Sequence, residues 1–328
     1  MKALTLPKYF FSALLVCFFY SAGLEAQHNA PFSLFGWNQM NWNPAYAGLD
    51  HSLSVTGQVR SQWQGIADNP ETQQINVHAP VYFLQSGLGL LFENDVLGAS
   101  DYLRLGLNYS YQLDLGNSVL SLGLGVEQVQ RRLDGSKLRT PDGTYIDDLP
   151  IDHADGILPT GQVSGSTVNF SAGVFFISEQ FQAGLSVRNL TEPVIDLETT
   201  GILLPRQIFF FGSYDYSLGN AFSVTPAVQL SMMAGSMQSQ AGLMFHYNDN
   251  LSAGASYRGY GGTSNDAIAV LLGVKLSDNI RLGYAYDAGL SGLNNVHRGS
   301  HELLINYNLN KRILGGRLPK IIYNPRSL

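Results

Sequence analysis

The sequence offers few side chains whose types and spacing support catalysis or metal binding. Of the seven histidines, only His297 and His301 lie close together, and a spacing of four would place both on one helix face for zinc. They fall where a loop pattern runs into a strand pattern, however, so this spacing carries little weight. No Ser-His-Asp, paired-carboxylate or Cys-His arrangement stands out. The sequence therefore predicts a non-enzymatic chain without catalytic residues, cofactor or metal.

Aspartates are dense in one segment, DGTYIDDLPIDHAD at residues 142–155. Carboxylate oxygens at this density could bind calcium. The spacing does not match the EF-hand register, and a solvated acidic loop is the favoured interpretation. Calcium binding by this segment is left open. The acidic residues are Asp142, Asp147, Asp148, Asp152 and Asp155.

The elements that would position any site are strands. From Tyr102 to Leu113, one row of alternate residues is apolar and the other is mostly polar. Successive side chains of a strand point to opposite faces, and about 9–11 alternating residues span a membrane as a barrel strand. The pattern recurs, which predicts an all-β fold, a transmembrane antiparallel β-barrel of about 14 strands over residues 51–309. The predicted strands are 51–62, 72–79, 86–95, 102–113, 118–130, 167–177, 180–188, 207–216, 222–232, 237–247, 251–258, 267–276, 279–287 and 300–309.

Composition agrees with such a barrel. Only 13% of the residues are charged, against the ~25% that is usual in soluble domains. Beyond the N-terminus no run of about 18 apolar residues occurs, so helical membrane spans are not expected there. The formal net charge of −6 gives no support for nucleic-acid binding.

The predicted connections alternate in length. The even-numbered ones are short, whereas the odd-numbered ones are mostly longer, namely 63–71, 96–100, 131–166, 189–206, 259–266 and 288–299. One odd-numbered connection, Ala234–Ser236, is a short exception. Outer-membrane barrels have short periplasmic turns and longer outer loops. We therefore expect the even-numbered connections in the periplasm and the odd-numbered ones outside.

Aromatic residues lie on the apolar rows, towards the strand ends. Such a distribution is typical of the interfacial girdles of membrane barrels, and the alternative is aromatic packing in a soluble sandwich. The residues are Tyr109, Tyr111, Tyr214, Tyr216, Phe245, Tyr247, Tyr257, Tyr284, Tyr286 and Tyr307.

The polar rows carry charges that would point into the barrel. These are Arg104, Glu127, Arg188, Asp215, Arg258, Arg281 and Asp287. They would line an aqueous pore or bridge across a closed lumen, and both alternatives stay open. Because buried charges must be paired, a closed lumen predicts that opposite charges face each other. Glycines within the strands, such as Gly87 and Gly123, are expected to let the wall curve or a plug approach.

Three segments lie outside the strand pattern. Residues 1–26 have a positive start, an apolar core and a cleavage site before Gln27, which predicts a secretory signal peptide. Cys17, the only cysteine, lies inside this segment, so no disulfide is expected. Residues 27–50 are rich in aromatic residues and asparagine, and we expect a packed segment that plugs the barrel or makes a periplasmic contact. Residues 310–328 form a basic tail, which the predicted topology places in the periplasm.

Short motifs occur in order along the chain. NPAYAG at residues 43–48 precedes the first strand, and RSQWQG at residues 60–65 ends it. HAP at residues 78–80, GLG at 87–89, GSHE at 299–302 and NPR at 324–326 follow. In this order the set resembles the PorP/SprF family of Bacteroidota, outer-membrane proteins linked to type IX secretion and gliding motility. The candidate site residues taken from these motifs are Asn43, Pro44, Ala45, Gly48, Arg60, Trp63, Gly65, His301, Glu302, Asn324, Pro325 and Arg326.

The resemblance implies a non-enzymatic component of the cell outer membrane that assists the export or surface anchoring of partner proteins. The implied partners are type IX secretion components or an exported adhesin, with outer-membrane lipid around the barrel and no nucleic acid. The alternative function is an outer-membrane porin or hydrophobic-compound transporter, which predicts an open or gated lumen.

Overall fold

The computed structural model describes residues 31–146, 150–198, 200–260, 264–292 and 296–311. The predicted signal peptide at residues 1–26 therefore lies outside the described residues. So do all residues of the predicted basic tail from 312 onwards, which include Asn324, Pro325 and Arg326.

The described residues form a closed antiparallel barrel of fourteen strands, which confirms the predicted fold class. Closure is complete because β1 pairs with both β2 and β17, and β10 pairs with both β7 and β12. β8 and β9 form a separate hairpin, and β11 continues β10 beyond Asp215 along β12. The strands are β1 (Ser54–Ser61), β2 (Glu71–Val81), β3 (Ser86–Leu97), β4 (Ser100–Asp114), β5 (Ser118–Asp134), β6 (Gln162–Ser178), β7 (Phe181–Arg188), β8 (Val194–Asp196), β9 (Gly201–Leu203), β10 (Gln207–Tyr214), β11 (Tyr216–Ser217), β12 (Phe222–Met233), β13 (Ser236–Tyr247), β14 (Leu251–Tyr260), β15 (Ser264–Lys275), β16 (Ile280–Gly289) and β17 (Ser300–Asn308).

Helical structure in the described residues is limited to short 3-10 turns. They span Phe35–Trp37, Gln39–Asn41, Pro44–Tyr46, Tyr82–Leu84 and Gly135–Lys137. In the part of the chain that the structure describes, no helix has the length and apolarity that a membrane span requires.

The barrel wall has an apolar outer face and a polar inner face. On β4, Leu105 and Leu107 are exposed on the outside, whereas Arg104 and Asn108 are buried on the inside. This arrangement is the inverse of a soluble protein and matches a barrel whose outer face contacts lipid. The aromatic residues predicted to form girdles all point outwards and are exposed. They lie near both ends of the wall, with Tyr109 close to the β4–β5 turn and Tyr286 close to the β16–β17 loop.

The connections alternate between the two ends of the barrel. We call the end with connections β1–β2, β3–β4 and β5–β6 the loop end, and the opposite end the turn end. The prediction of a longer loop at residues 96–100 is wrong, because β3 and β4 continue to a two-residue turn at Gly98 and Ala99. The predicted loop at 131–166 is likewise shorter, since β5 and β6 extend to Asp134 and from Gln162. Apolar alternation stops where strands leave the apolar zone, but backbone pairing does not.

The hairpin of β8 and β9 lies in the loop-end connection between β7 and β10. Its residues Ile195 and Leu197 are fully buried and pack with Tyr102 and Val129 of the barrel wall. The sequence analysis treated residues 189–206 as a loop, because two strands of three residues are too short to show a period.

The centre of the barrel is filled by residues 31–50, which we call the plug. Most of the plug is buried against the inner faces of the strands. Its start, at Ser33, contacts the loop-end residues Asp287 and Glu302. Its end, at Gly48, contacts His78 near the turn end. The plug therefore crosses the lumen from the loop end to the turn end before β1 runs back up the wall.

Leu107→Arg is expected to lower the free energy of unfolding by about 2–4 kcal/mol, the cost of a cation at the bilayer midplane on a barrel's outer face. Leu107 lies midway along β4 and is exposed on the outer face. Leu115→Arg is the control, because this exposed leucine lies in the β4–β5 turn, where the cost falls to about 0–1 kcal/mol. Urea unfolding in lipid vesicles measures both. Equal losses would contradict the assigned position of the membrane.

Candidate functional site

Hydrogen bonds of Asn43 shape one turn of the plug and attach it to the wall. Asn43 is the N-cap of the Pro44–Tyr46 turn, and its side-chain oxygen accepts a hydrogen bond from the Ala45 N–H at 2.9 Å. A cap followed by proline is a favourable start for a helical turn. The same Asn43 side chain donates to the Val174 carbonyl at 3.0 Å, which ties the turn to β6. Three candidate residues of the NPAYAG motif thus fix one turn of the plug.

Charged side chains at the loop end bind the start of the plug. Arg60 lies 2.7 Å from Asp287 and 3.2 Å from Glu302, and all three side chains are almost fully buried. The Glu302 carboxylate accepts hydrogen bonds from the N–H groups of Ser33 and Leu34, at 2.7 and 2.9 Å. Buried charges are stable only when paired and hydrogen-bonded. We call Arg60, Arg258, Asp266, Asp287 and Glu302 the Arg60 cluster.

A second group of charges contacts the middle of the plug. Arg104 lies 2.8 Å from Glu93 and 3.1 Å from Glu127, and it donates to the Asn41 side-chain oxygen at 2.7 Å. Arg188 donates to the Asn41 carbonyl at 2.6 Å. Arg104 therefore pairs with two buried glutamates, and both arginines bind the plug at Asn41. A closed lumen predicts such pairing of opposite charges.

Amide side chains complete the polar contacts. Asn38 of the plug donates to Gln58 at 2.7 Å and to Gln74 at 3.0 Å. Its oxygen accepts from Asn76 at 2.6 Å. β1 and β2 thus bind the plug through a row of neutral hydrogen bonds between the two charged groups.

Glycines of the wall leave the space that the plug occupies. A Cβ atom added at Gly123 or Gly87 would lie closer than 3.0 Å to the plug backbone at Ala45 or Ala47. Added Cβ atoms at Gly273 and Gly283 would overlap the Trp37 ring. The prediction that small inward residues let a plug approach is confirmed at these positions.

The plug ends in a buried polar contact at the turn end. His78 Nε2 lies 3.3 Å from the Asp50 carboxylate, and His78 Nδ1 accepts from the Gly48 N–H at 3.0 Å. The pKa of Asp50 lies below its ordinary value: burial alone would raise it, but His78 and the hydrogen bonds from His78, Ser54 and Tyr46 outweigh that cost. Gly48 has a φ of +77°, and a Cβ atom there would lie 2.8 Å from Gly87. Only glycine fits this junction.

The remaining candidate residues that the structure describes, Trp63, Gly65 and His301, lie on the outside of the loop end. The Trp63 N–H donates to Ser300 Oγ at 3.1 Å, and the Trp63 ring lies 6.4 Å from the His297 ring. Gly65 has a φ of +98°. His301 points outwards and contacts the Tyr284 hydroxyl at 2.7 Å through Nδ1.

These outer residues bring two motifs together. The Gln64 N–H donates to the Gly299 carbonyl at 2.9 Å, and the Arg298 N–H donates to the Gln64 carbonyl at 2.7 Å. RSQWQG and GSHE thus extend the closing pair of strands, β1 and β17. The structure therefore divides the candidate residues into two places: the plug with the Arg60 cluster, and this outer junction.

Several contact residues were not singled out from the sequence. Asn41 gave no signal, because the plug has no periodicity, whereas Trp37 is one of the aromatic residues from which a packed segment at residues 27–50 was predicted. Glu93, Gln58 and Gln74 lie on the polar rows of neighbouring strands. Their position on these rows was the one sequence signal that they point into the barrel. Among the described residues, no three His, Cys, Asp or Glu side chains come together as a metal site, although two aspartates of the acidic loop lie outside that set.

Fold and lumen define a class of protein: a membrane β-barrel whose interior is filled by its own N-terminal segment. Residues 24–307 match the family described as "Type IX secretion system membrane protein PorP/SprF", and the chain belongs to this family. It is thus an outer-membrane component of the type IX secretion system. Family and fold are non-enzymatic in kind.

Comparison with solved structures finds similar barrels at low sequence identity. The CymD monoaromatic hydrocarbon channel has a TM-score of 0.49 and 10% identity over 87% of this chain and 95% of that chain. The Pseudomonas putida toluene transporter TodX has a TM-score of 0.48 and 11% identity over 84% and 93%. Acinetobacter baumannii Omp33 has a TM-score of 0.46 and 9% identity over 79% and 98%. No curated protein matches the chain.

Proposed function

We propose that this protein is a non-enzymatic partner in type IX secretion and gliding that assists the export or surface anchoring of a partner protein, such as a large adhesin. The observation that carries the proposal is the filled lumen. Because buried ion pairs bind the plug to the wall, the barrel offers surfaces for partner proteins and no path of protein width. The proposal includes cleavage of residues 1–26 and a periplasmic tail at 310–328.

The β8–β9 hairpin is the surface proposed to bind the exported partner. Val194 and Leu203 are directly paired and more than half exposed, whereas Ile195, the next residue of β8, is fully buried. A hairpin fixed on one side, with apolar side chains on the other, is a suitable contact for another protein. It lies at the loop end, beyond the apolar zone of the wall.

Val194→Asp with Leu203→Asp is expected to abolish surface delivery of the partner, because two charges would have to be desolvated in the contact. The readout is the amount of exported protein on intact cells, together with the proteins that co-purify in mild detergent. Ile146→Asp is the control, since this isoleucine is equally exposed in another loop. Normal delivery by the double variant, or an equal loss with the control, would contradict the proposed surface.

The basic tail is proposed to contact the periplasmic machinery. At its start, the Lys311 carbonyl accepts from Ser52 Oγ at 2.8 Å, so Lys311 lies beside the end of the plug. Deletion of residues 312–328 with unchanged export would remove the tail from the mechanism. Recovery of type IX components or one large surface protein with the intact chain would support the proposed class of partner.

A further inference from the structure

Two cavities lie between the plug and the wall formed by β10, β12 and β13. Each has a volume of about 50 Å³. A water needs about 10–15 Å³ of such space, so each cavity has room for a few waters. The loop-end cavity is lined by amides, including Gln207, Gln229 and Gln238. The turn-end cavity is more apolar but includes Thr225 and His246.

The two cavities lie in line from one end of the barrel to the other. Gln207 and Gln238 are at the loop-end limits of β10 and β13, and His246 is at the turn-end limit of β13. At the loop end, Ala234 and Gly235 join β12 to β13 in a short connection, and the long β7–β10 connection packs its hairpin against β4 and β5. The β12–β13 connection is the one short odd-numbered connection that the sequence showed as an exception. No long described loop of the β12–β13 pair covers this side.

One side chain separates the two cavities. Phe35 of the plug lines both of them, whereas Phe209 lines only the loop-end cavity and Phe211 only the turn-end cavity. The Phe35 ring lies 6.3 Å from the Phe211 ring in an edge-to-face contact. On its other side, a Cβ atom on Gly242 would lie 3.7 Å from Phe35 Cζ. The ring therefore fills the gap between β10 and β13.

We propose that these cavities form a narrow path for small uncharged hydroxylated solutes, closed at Phe35. The chemistry of the walls gives this class of solute. Amides and hydroxyls supply hydrogen bonds at both ends, and the charges at the loop-end cavity are occupied, since Glu93 pairs with Arg104 and Arg188 donates to Asn41. An uncharged solute therefore meets no unpaired ion. This activity is separate from the proposed secretion function and does not depend on it.

Phe35→Ala tests the path in liposomes that contain the purified protein. Removal of the ring joins the two cavities, so glycerol-driven swelling is expected to be severalfold faster than with the original chain. Raffinose, a larger solute, is expected to stay excluded in both. Phe32→Ala is the control, because Phe32 lines only the loop-end cavity. Equal glycerol rates for the original chain and Phe35→Ala would overturn the proposal.

Gly242→Leu in the Phe35→Ala background supplies the second test. A leucine at this position would occupy the space left by the ring, so glycerol swelling is expected to return to the original rate. Rapid raffinose entry in Phe35→Ala would show that the whole plug has moved, which would overturn a barrier at one side chain. Surface export of the partner protein by Phe35→Ala is measured separately. Unchanged export would show that the solute path and the secretion function are independent, because failure of the secretion function is measured only as a loss of export.

Discussion

Glu302→Ala is expected to lower the free energy of unfolding by about 3–5 kcal/mol, the cost of removing one partner of a buried ion pair. Four groups lose an acceptor at once: the Arg60 guanidinium, the Gln58 side-chain amide and the N–H groups of Ser33 and Leu34. All of them belong to buried residues, so the loss exceeds that of a single hydrogen bond. Denaturant unfolding in detergent measures the free energy, and limited proteolysis within residues 31–50 measures release of the plug.

Asp101→Ala is the matched control for the loss of a carboxylate. Asp101 Oδ2 lies 3.8 Å from Arg132, and both side chains are about half exposed. Exposed pairs contribute about 0–1 kcal/mol, so little change is expected. Glu302→Gln keeps an acceptor oxygen, and its loss should fall between the two. If Glu302→Ala destabilises no more than Asp101→Ala, the Arg60 cluster does not bind the plug.

Gly123→Ala is expected to displace the plug from the wall. The added methyl group would meet the backbone of Ala45 and Pro44 at less than 3.0 Å, and backbone cannot rotate aside as a side chain can. Overpacking typically costs about 1–3 kcal/mol, and this position should lie at the upper end. The expected result is faster proteolysis within residues 31–50 and a lower free energy of unfolding, with the barrel strands retained by circular dichroism.

Gly106→Ala separates loss of the plug from a general effect of alanine in a strand. Gly106 also faces the lumen, but its added Cβ would lie 3.5 Å from Leu91 Cβ, an ordinary contact. The plug should stay protected in this variant. Equal proteolysis of the two variants would mean that close approach of the plug at Gly123 does not limit its position.

The strands and their two faces could be predicted from the sequence because alternation is a local property. Leu105, Leu107 and Tyr109 identify an outer face without reference to any distant residue, and the same pattern gave fourteen strands. The errors were at strand ends. Asn94 and Asp101 interrupt the apolar rows of β3 and β4, yet the backbones of these strands stay paired up to Leu97 and Ser100. Polarity marks where the apolar zone ends, whereas hydrogen bonds decide where the strand ends.

The contacts of the plug could be decided only by the tertiary structure. The sequence showed that Arg104 and Asp287 would point inwards, but it left a pore and a closed lumen as alternatives. Ser33 and Glu302 are 269 residues apart, and no pattern within either segment indicates the other. The sequence by itself determined the barrel, its two faces and its family motifs. Closure of the barrel brought β17 beside β1, and only that pairing placed Glu302 next to Arg60 and the plug backbone, where burial makes each of these contacts necessary.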